Sequence, residues 1–173
     1  MILEVVRAVA DWLEDATYGV DAKVAALTLD GADSVPTGAL TVYDETRDDD
    51  AAIDRPPAAP FLKVVAGEIR SLDGQAATYT HDADIPLEIT IQRAGTSPAA
   101  LVRDLYYTTR AALQSVEALF DPAIPAAVTA CSRNGVQLQV ITALSAARVA
   151  PSLDDATGSA AVYLTVRCRD TLA

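Results

Sequence analysis

Residues 85–116 read IPLEITIQRAGTSPAALVRDLYYTTRAALQSV, and this stretch holds the two patterns that decide the fold. Its first part alternates between apolar and polar residues, which predicts a strand. One face of this strand is expected to pack in the core, and the other to contact solvent or a neighbour. The apolar residues of this strand are Ile85, Leu87, Ile89 and Ile91. Its second part has apolar residues at helical spacing, which predicts a long helix over 98–120 that ends before Pro122.

The corner between these two elements, Gly95 to Pro98, has the strand, turn and helix start of many phosphate-binding loops. A P-loop needs several glycines and a lysine, and a dinucleotide fingerprint needs three glycines. This corner has one glycine and no lysine. Ser97 followed by Pro98 matches a helix N-cap with proline at the first helical position. We therefore interpret the corner as a capped helix start rather than a ligand loop.

The flanking sequence predicts a first helix and several further strands. Helical spacing of apolar residues predicts a helix over 2–16, and a denser apolar run predicts a short strand near 24–29. Apolar or alternating runs predict strands at 38–44, 60–70, 136–144 and 160–170. The last two are expected to form an antiparallel pair.

Two polar segments separate the predicted strands. Residues 44–60 form a predicted loop in which three prolines exclude regular structure, and a loop of this length is usually functional or mobile. A second predicted loop covers 71–84, with a hairpin tip as an alternative. The element order predicts an α+β fold. Its mostly antiparallel, mixed sheet is covered on one face by two main helices, in a single domain over 1–173.

Composition excludes several classes of protein. The chain of 173 residues is 51% hydrophobic and 21% charged, which predicts one globular domain, and it has no apolar run long enough to cross a membrane. The N-terminus lacks the pattern of a signal peptide. The formal net charge of −11 argues against a protein that wraps nucleic acid, because such binding depends on Lys and Arg.

Candidate chemical groups are few. His81 is the single histidine and, with Asp82 and Asp84, offers a possible cation site, but the grouping lacks the spacing of a zinc motif. We interpret His81 as a solvated loop residue. Cys131 and Cys168 lack a basic neighbour that would activate a thiolate, so we expect reduced packing residues of an intracellular protein.

The segment DETRDDD, residues 44–50, is strongly acidic. A divalent-cation loop is one interpretation, yet the alternating ligands, central glycine and terminal glutamate of an EF-hand are not in register. We favour an exposed acidic loop. The sequence predicts no catalytic residue, no metal site and no cofactor.

The element order itself resembles a known family. An amphipathic first helix is followed by a β-rich middle, by residues 85–116 as strand then helix, and by a closing pair that ends AAVYLTVRCRD. This arrangement resembles the tail terminator, or tail completion, proteins of tailed bacteriophages and phage-like particles.

The resemblance implies a structural virion protein of the tail or neck, assembled in the host cytoplasm. Its subunits form a ring, usually a hexamer, that caps the last ring of the tail tube protein and stops tube polymerisation. The other face of the ring meets the head-side connector or neck protein, and genomic DNA passes through the lumen without specific binding. The alternatives are another head-to-tail connector or neck protein, a metal-dependent hydrolase, and a module whose sheet edge accepts a partner strand.

We expect the two predicted loops to provide the contact with such partners, because loops of this kind can order on docking. The candidate partner-interface residues are Asp44, Glu45, Arg47, Asp48, Asp49, Asp50, His81 and Asp82.

Overall fold

The computed structural model describes residues 1–27, 39–44, 59–68, 71–75, 80–95, 97–148 and 157–171. The helices are α1 (Ile2–Leu13), α2 (Val20–Ala26), α3 (Pro98–Leu119) and α4 (Pro125–Ala130). The strands are β1 (Thr41–Asp44), β2 (Phe61–Ala66), β3 (Ser71–Gln75), β4 (Thr80–Ala94), β5 (Ser132–Arg133), β6 (Val136–Arg148) and β7 (Thr157–Thr171).

The strands form one seven-stranded mixed sheet in the order β1-β2-β4-β7-β6-β5, and β3 pairs with the first part of β4. β1 and β2 are parallel, and every other pair is antiparallel. The predicted α+β fold with a mostly antiparallel, mixed sheet is confirmed.

The core lies between the sheet and the helices. The odd-numbered residues of β4 predicted to face the core are all buried, and they pair with buried even-numbered residues of β7. Leu87 pairs with Leu164 and Ile89 pairs with Val162 in the middle of this layer. Helix α3 packs across β4 and β7, whereas α1 packs against β1 and β2 at one end of the sheet and β5 and β6 at the other.

The long helix begins and ends as its sequence predicts. The Ser97 hydroxyl accepts a hydrogen bond from the Ala100 backbone N–H at 3.2 Å, and Pro98 occupies the first helical position. The cap satisfies one of the N–H groups that a helix start leaves without an internal partner. The interpretation of this corner as a helix cap is confirmed.

Helix α1 is shorter than the predicted 2–16. The Asp15 carboxylate accepts hydrogen bonds from the backbone N–H groups of Thr17 and Tyr18, both at 2.8 Å. Aspartate side chains that bind the backbone in this way favour turns over continued helix. The chain therefore turns after Leu13.

The strand predicted near 24–29 is wrong where the structure describes it, because residues 24–26 belong to α2. Val20 and Val24 lie four residues apart, so that both are buried on one face of this helix. The strands predicted at 38–44 and 60–70 correspond to the shorter β1 and β2, while β6 and β7 extend beyond their predicted bounds.

The loop predicted over 71–84 is also wrong where the structure describes it, because residues 71–75 and 80–84 belong to strands. The hairpin tip predicted as an alternative falls at 76–79, outside the described residues. β3 pairs antiparallel with the start of β4, from Ser71 opposite Asp84 to Gln75 opposite Thr80. This pairing makes strand of the described backbone at 71–75 and 80–84.

The hairpin between β5 and β6 was not predicted. Asn134 and Gly135 join the two strands and have positive φ values of 48° and 81°. Two successive residues with positive φ are typical of a type I′ turn, for which Asn-Gly is the preferred sequence. The Asn134-Gly135 dipeptide could therefore have predicted this hairpin from the sequence.

Candidate assembly surface

The outer face of the sheet, opposite the helices, carries two ion pairs between β4 and β7. Arg169 donates to both carboxylate oxygens of Asp82, at 2.7 and 2.9 Å, and Arg167 donates to both oxygens of Asp84, at 2.8 and 2.9 Å. These residues are direct cross-strand neighbours in the register of the sheet. The parallel donor fork of arginine matches the two oxygens of a carboxylate.

These ion pairs involve both aspartates of the possible cation site that the sequence did not favour. The Arg169 hydrogen bond holds the pKa of Asp82 below its usual range, and the same contact raises the pKa of Arg169. Both aspartates are thus engaged by guanidinium groups instead of converging on a shared ion. No cluster of three metal-ligating side chains occurs in the part of the chain whose side chains the structure describes.

His81 lies in β4, where its backbone pairs with Gly74 and Asp170. It was predicted to lie in a loop, and that prediction is wrong because the segment is a paired strand. Its side chain is outside the described part of the structure.

The acidic segment at 44–50 is described at one residue. Asp44 is the last residue of β1 and is buried, with 7% of its surface exposed. It pairs with Val64, on the face of the sheet that is turned to the core, so it does not belong to an exposed loop. Glu45, Arg47, Asp48, Asp49 and Asp50 lie outside the described residues.

A buried arginine was missed by the sequence analysis. Arg93 is 2% exposed and follows the core-facing row of β4, and its Nε donates to the Thr108 hydroxyl of α3 at 2.9 Å. Burial lowers the pKa of Arg93, while the carboxylates of Asp21 and Asp104 act in the opposite direction. The alternation of β4 puts Arg93 on the same face as Ile91, so an arginine at a position expected to be apolar could have pointed to it. Arg93 joins the sheet to α3 and has a structural role.

Both cysteines are buried, and neither forms a disulfide. Burial raises the pKa of each thiol to about 11. The Cys131 thiol donates to the Leu119 carbonyl at 3.2 Å, and the Cys168 thiol donates to the Ala83 carbonyl at 3.5 Å. The interpretation as packing residues is confirmed, since a nucleophilic cysteine requires a lowered pKa.

The corner at Gly95 is closely packed. A Cβ at this position would lie 3.1 Å from the Leu101 Cβ and 3.3 Å from its Cα and N. The glycine thus allows the chain to pass close to the first turns of α3. Its role is accounted for by this packing.

The outer edge of β6 is exposed over most of its length. β5 covers β6 only at Val136 and Gln137, and one further hydrogen bond joins the Leu138 N–H to the Cys131 carbonyl at 2.8 Å. From Gln139 to Arg148, no strand among the described residues lies beside this edge. We call this segment the open edge of β6.

The open edge has few of the features that usually prevent strands from pairing. Its residues 139–147 read QVITALSAA, without charge, proline or glycine, and its one charged residue is Arg148 at the end. Monomeric proteins commonly protect long edges with lysine, proline or a covering element. Two register shifts interrupt the β7 side of this strand, between Leu138 and Val140 and between Ile141 and Ala143. The β7 pairing resumes after each shift and continues to Arg148.

Apolar side chains flank the open edge on both faces of the sheet. Val140 is 46% exposed, and Ile141 and Leu144 are only partly covered where they pack against the core. On the outer face, Tyr163 is 43% exposed next to Ser145. Tyr163 also borders a groove of about 530 Å³ whose other lining residues are Val65, Ala66, Gly67, Glu68, Pro86, Leu87 and Glu88.

Comparison of the sequence with known proteins finds no matching family model and no similar curated protein. Within the described residues, none of the helices combines the length and apolar character needed to cross a membrane.

Proposed function

We propose that this protein is a structural subunit of a tailed bacteriophage or phage-like particle that acts as a tail terminator. In this proposal its copies form a ring, with six subunits expected, on the last ring of the tail tube. The ring stops tube polymerisation and offers its other face to the head-side connector. The proposal assigns no catalytic step to the chain.

The observation that carries the proposal is the open edge of β6. A strand of this length that presents backbone N–H and C=O groups, with no charge before its last residue, favours pairing with another chain. A ring subunit needs such a surface, because it must bury an edge or an apolar patch against each neighbour. The apolar residues Val140, Ile141 and Leu144 add area that association would bury.

The fold and the charge support the same proposal. The order of a first helix, a strand group, a capped long helix and a closing antiparallel pair is the order on which the resemblance rests. The net charge of −11 suits a subunit past which DNA moves, since an acidic wall repels the phosphate backbone.

The experiment is negative-stain electron microscopy of the purified protein, alone and with tail tubes from the particle that contains it. We expect rings with a central hole, and tubes whose ends carry one such ring and no longer grow. A ring found elsewhere in the neck of the assembled particle would contradict the terminator role.

A matched pair of variants tests whether the open edge is required. Ala143→Lys places a charge in the open edge, and Ala99→Lys places the same charge on the exposed surface of α3. We expect Ala143→Lys to abolish rings and capping, because an edge lysine opposes strand pairing. Ala99→Lys should assemble as the unmodified protein does. Equal assembly of the two variants would contradict a role for this edge.

A further inference from the structure

The sheet has a second open edge at its other end. β1 is the first strand in the sheet order, and among the described residues it pairs with β2 alone. The sheet therefore ends in β1 on one side and in β6, beyond its short contact with β5, on the other. A head-to-tail contact between two different edges is the kind that closes into a ring when the rotation between subunits allows it.

The two edges have opposite strand directions. β1 is parallel to β2, β2 is antiparallel to β4, β4 is antiparallel to β7, and β7 is antiparallel to β6. β1 and β6 therefore run in opposite directions within one subunit. When a second copy continues the sheet, its β1 meets β6 in an antiparallel arrangement, which is the more stable ladder.

A row of directly paired residues, which crosses the sheet from strand to strand, connects the two edges. Asp44 pairs with Val64, and Val64 pairs with Ile89. Ile89 pairs in turn with Val162, and Val162 pairs with Ala146 of the open edge. The last residue of β1 is thus in one row with the open part of β6.

We infer that β1 of a neighbouring copy pairs antiparallel with the open edge of β6, so that the sheet continues from subunit to subunit. This inference rests on the proposed ring and names its subunit contact. The occupant is a second copy because the chain itself supplies both edges, with matching direction and row. Among the described strands of one subunit the sheet does not close, and α1 packs against both of its ends.

Disulfide cross-linking between two singly substituted proteins tests the contact. Tyr43→Cys lies on β1 and Ala147→Cys on the open edge, and the row Tyr43, Lys63, Thr90, Ala161 and Ala147 places the two positions opposite each other in the inferred contact. Tyr43 is half-buried and Ala147 is exposed. Ser145→Cys, also exposed, lies two residues from Ala147 and provides a diagonal position on β6. The native thiols are buried, so the introduced ones are the accessible pair. Circular dichroism and thermal unfolding establish that each variant is folded.

Each protein is oxidised alone and in equal mixture with its partner, at a concentration where light scattering follows the oligomeric state. We expect the Tyr43→Cys protein mixed with the Ala147→Cys protein to give about five-fold more covalent dimer than either alone, because cross-strand neighbours satisfy disulfide geometry. Dimers from Ala147→Cys alone would mean that β6 pairs with β6, which overturns the inference. Absence of mixed dimers with both β6 positions would also overturn it.

The outcomes separate this contact from the proposed function. Mixed dimers in a protein that leaves tube ends bare would retain the contact and reject the terminator role. Rings that cap tubes without mixed dimers would retain the role and reject the contact.

Discussion

The indole N–H of Trp12 on α1 donates a hydrogen bond to the backbone carbonyl of Ser115 on α3, 2.8 Å away. The two residues are 103 positions apart, and the bond is buried. Trp12 also stacks on Tyr18, with ring centroids 5.1 Å apart. This contact fixes the two main helices against each other above the sheet.

Substitution of Trp12 by phenylalanine should weaken that helix contact. The variant loses the hydrogen bond and leaves part of the indole volume empty, so we expect the free energy of unfolding to fall by about 2 kcal/mol. Because Trp12 is the single tryptophan, circular dichroism in a denaturant titration is the suitable measurement. Tyr106→Phe, at an exposed position of α3, is the control and should change stability by less than about 0.5 kcal/mol. Equal stabilities of the two variants would contradict the role given to Trp12.

The contact between Arg93 and Thr108 gives a second prediction. Thr108→Val removes the acceptor of the Arg93 Nε–H at a buried position, so we expect a loss of about 1–3 kcal/mol in unfolding free energy. Thr109→Val makes the same chemical change at the adjacent, half-buried position and should cost less. A Thr108→Val protein as stable as the Thr109→Val protein would show that this hydrogen bond does not anchor β4 to α3.

The ion pair of Asp82 with Arg169 predicts a pH-dependent contribution to stability. The pKa of Asp82 is lowered in the folded state, so its contribution is present above the ordinary aspartate pKa, near 4. It is lost as the pH falls through the lowered value. Asp82→Asn should therefore lower the melting temperature slightly at neutral pH, and the difference from the unmodified protein should shrink below about pH 3.

Thermal unfolding at a series of pH values measures this difference. Glu117→Gln, which removes an exposed carboxylate on α3, is the control. An Asp82→Asn difference that stays constant down to the lowest pH would contradict the assignment to this ion pair.

The buried thiols predict slow chemical modification. Burial raises the pKa of Cys131 and Cys168 to about 11, so little thiolate forms at pH 8 and access is restricted. We expect both thiols to react with a colorimetric thiol reagent only after denaturation. Ala147→Cys should add one thiol that reacts at once in the folded protein. Rapid reaction of the unmodified protein would show that at least one native cysteine is accessible.

The sequence predicted the elements whose pattern is long and uninterrupted. The alternation from Ile85 to Ile91 and the Ser97-Pro98 cap each have one structural interpretation, and both are confirmed. The short run around Val24 fits a strand or a helical turn equally well, and its burial against α3 decides in favour of a helix. Local pattern is insufficient where tertiary packing selects between two short elements.

The candidate site was less predictable, because it depends on pairing between distant segments. The ion pair of Asp82 with Arg169 joins residues 87 positions apart and follows from the register of β4 and β7. The open edge of β6 depends on how short β5 is, since a longer β5 would have covered it. Neither the register nor the length of a partner strand is encoded in the alternation of one strand.

The most direct test of a ring-forming subunit is electron microscopy of the purified protein, alone and with tail tubes. We expect closed rings with a central hole, either free or at the tube ends. Monomers that leave the tube ends bare, or open filaments in place of rings, would contradict it.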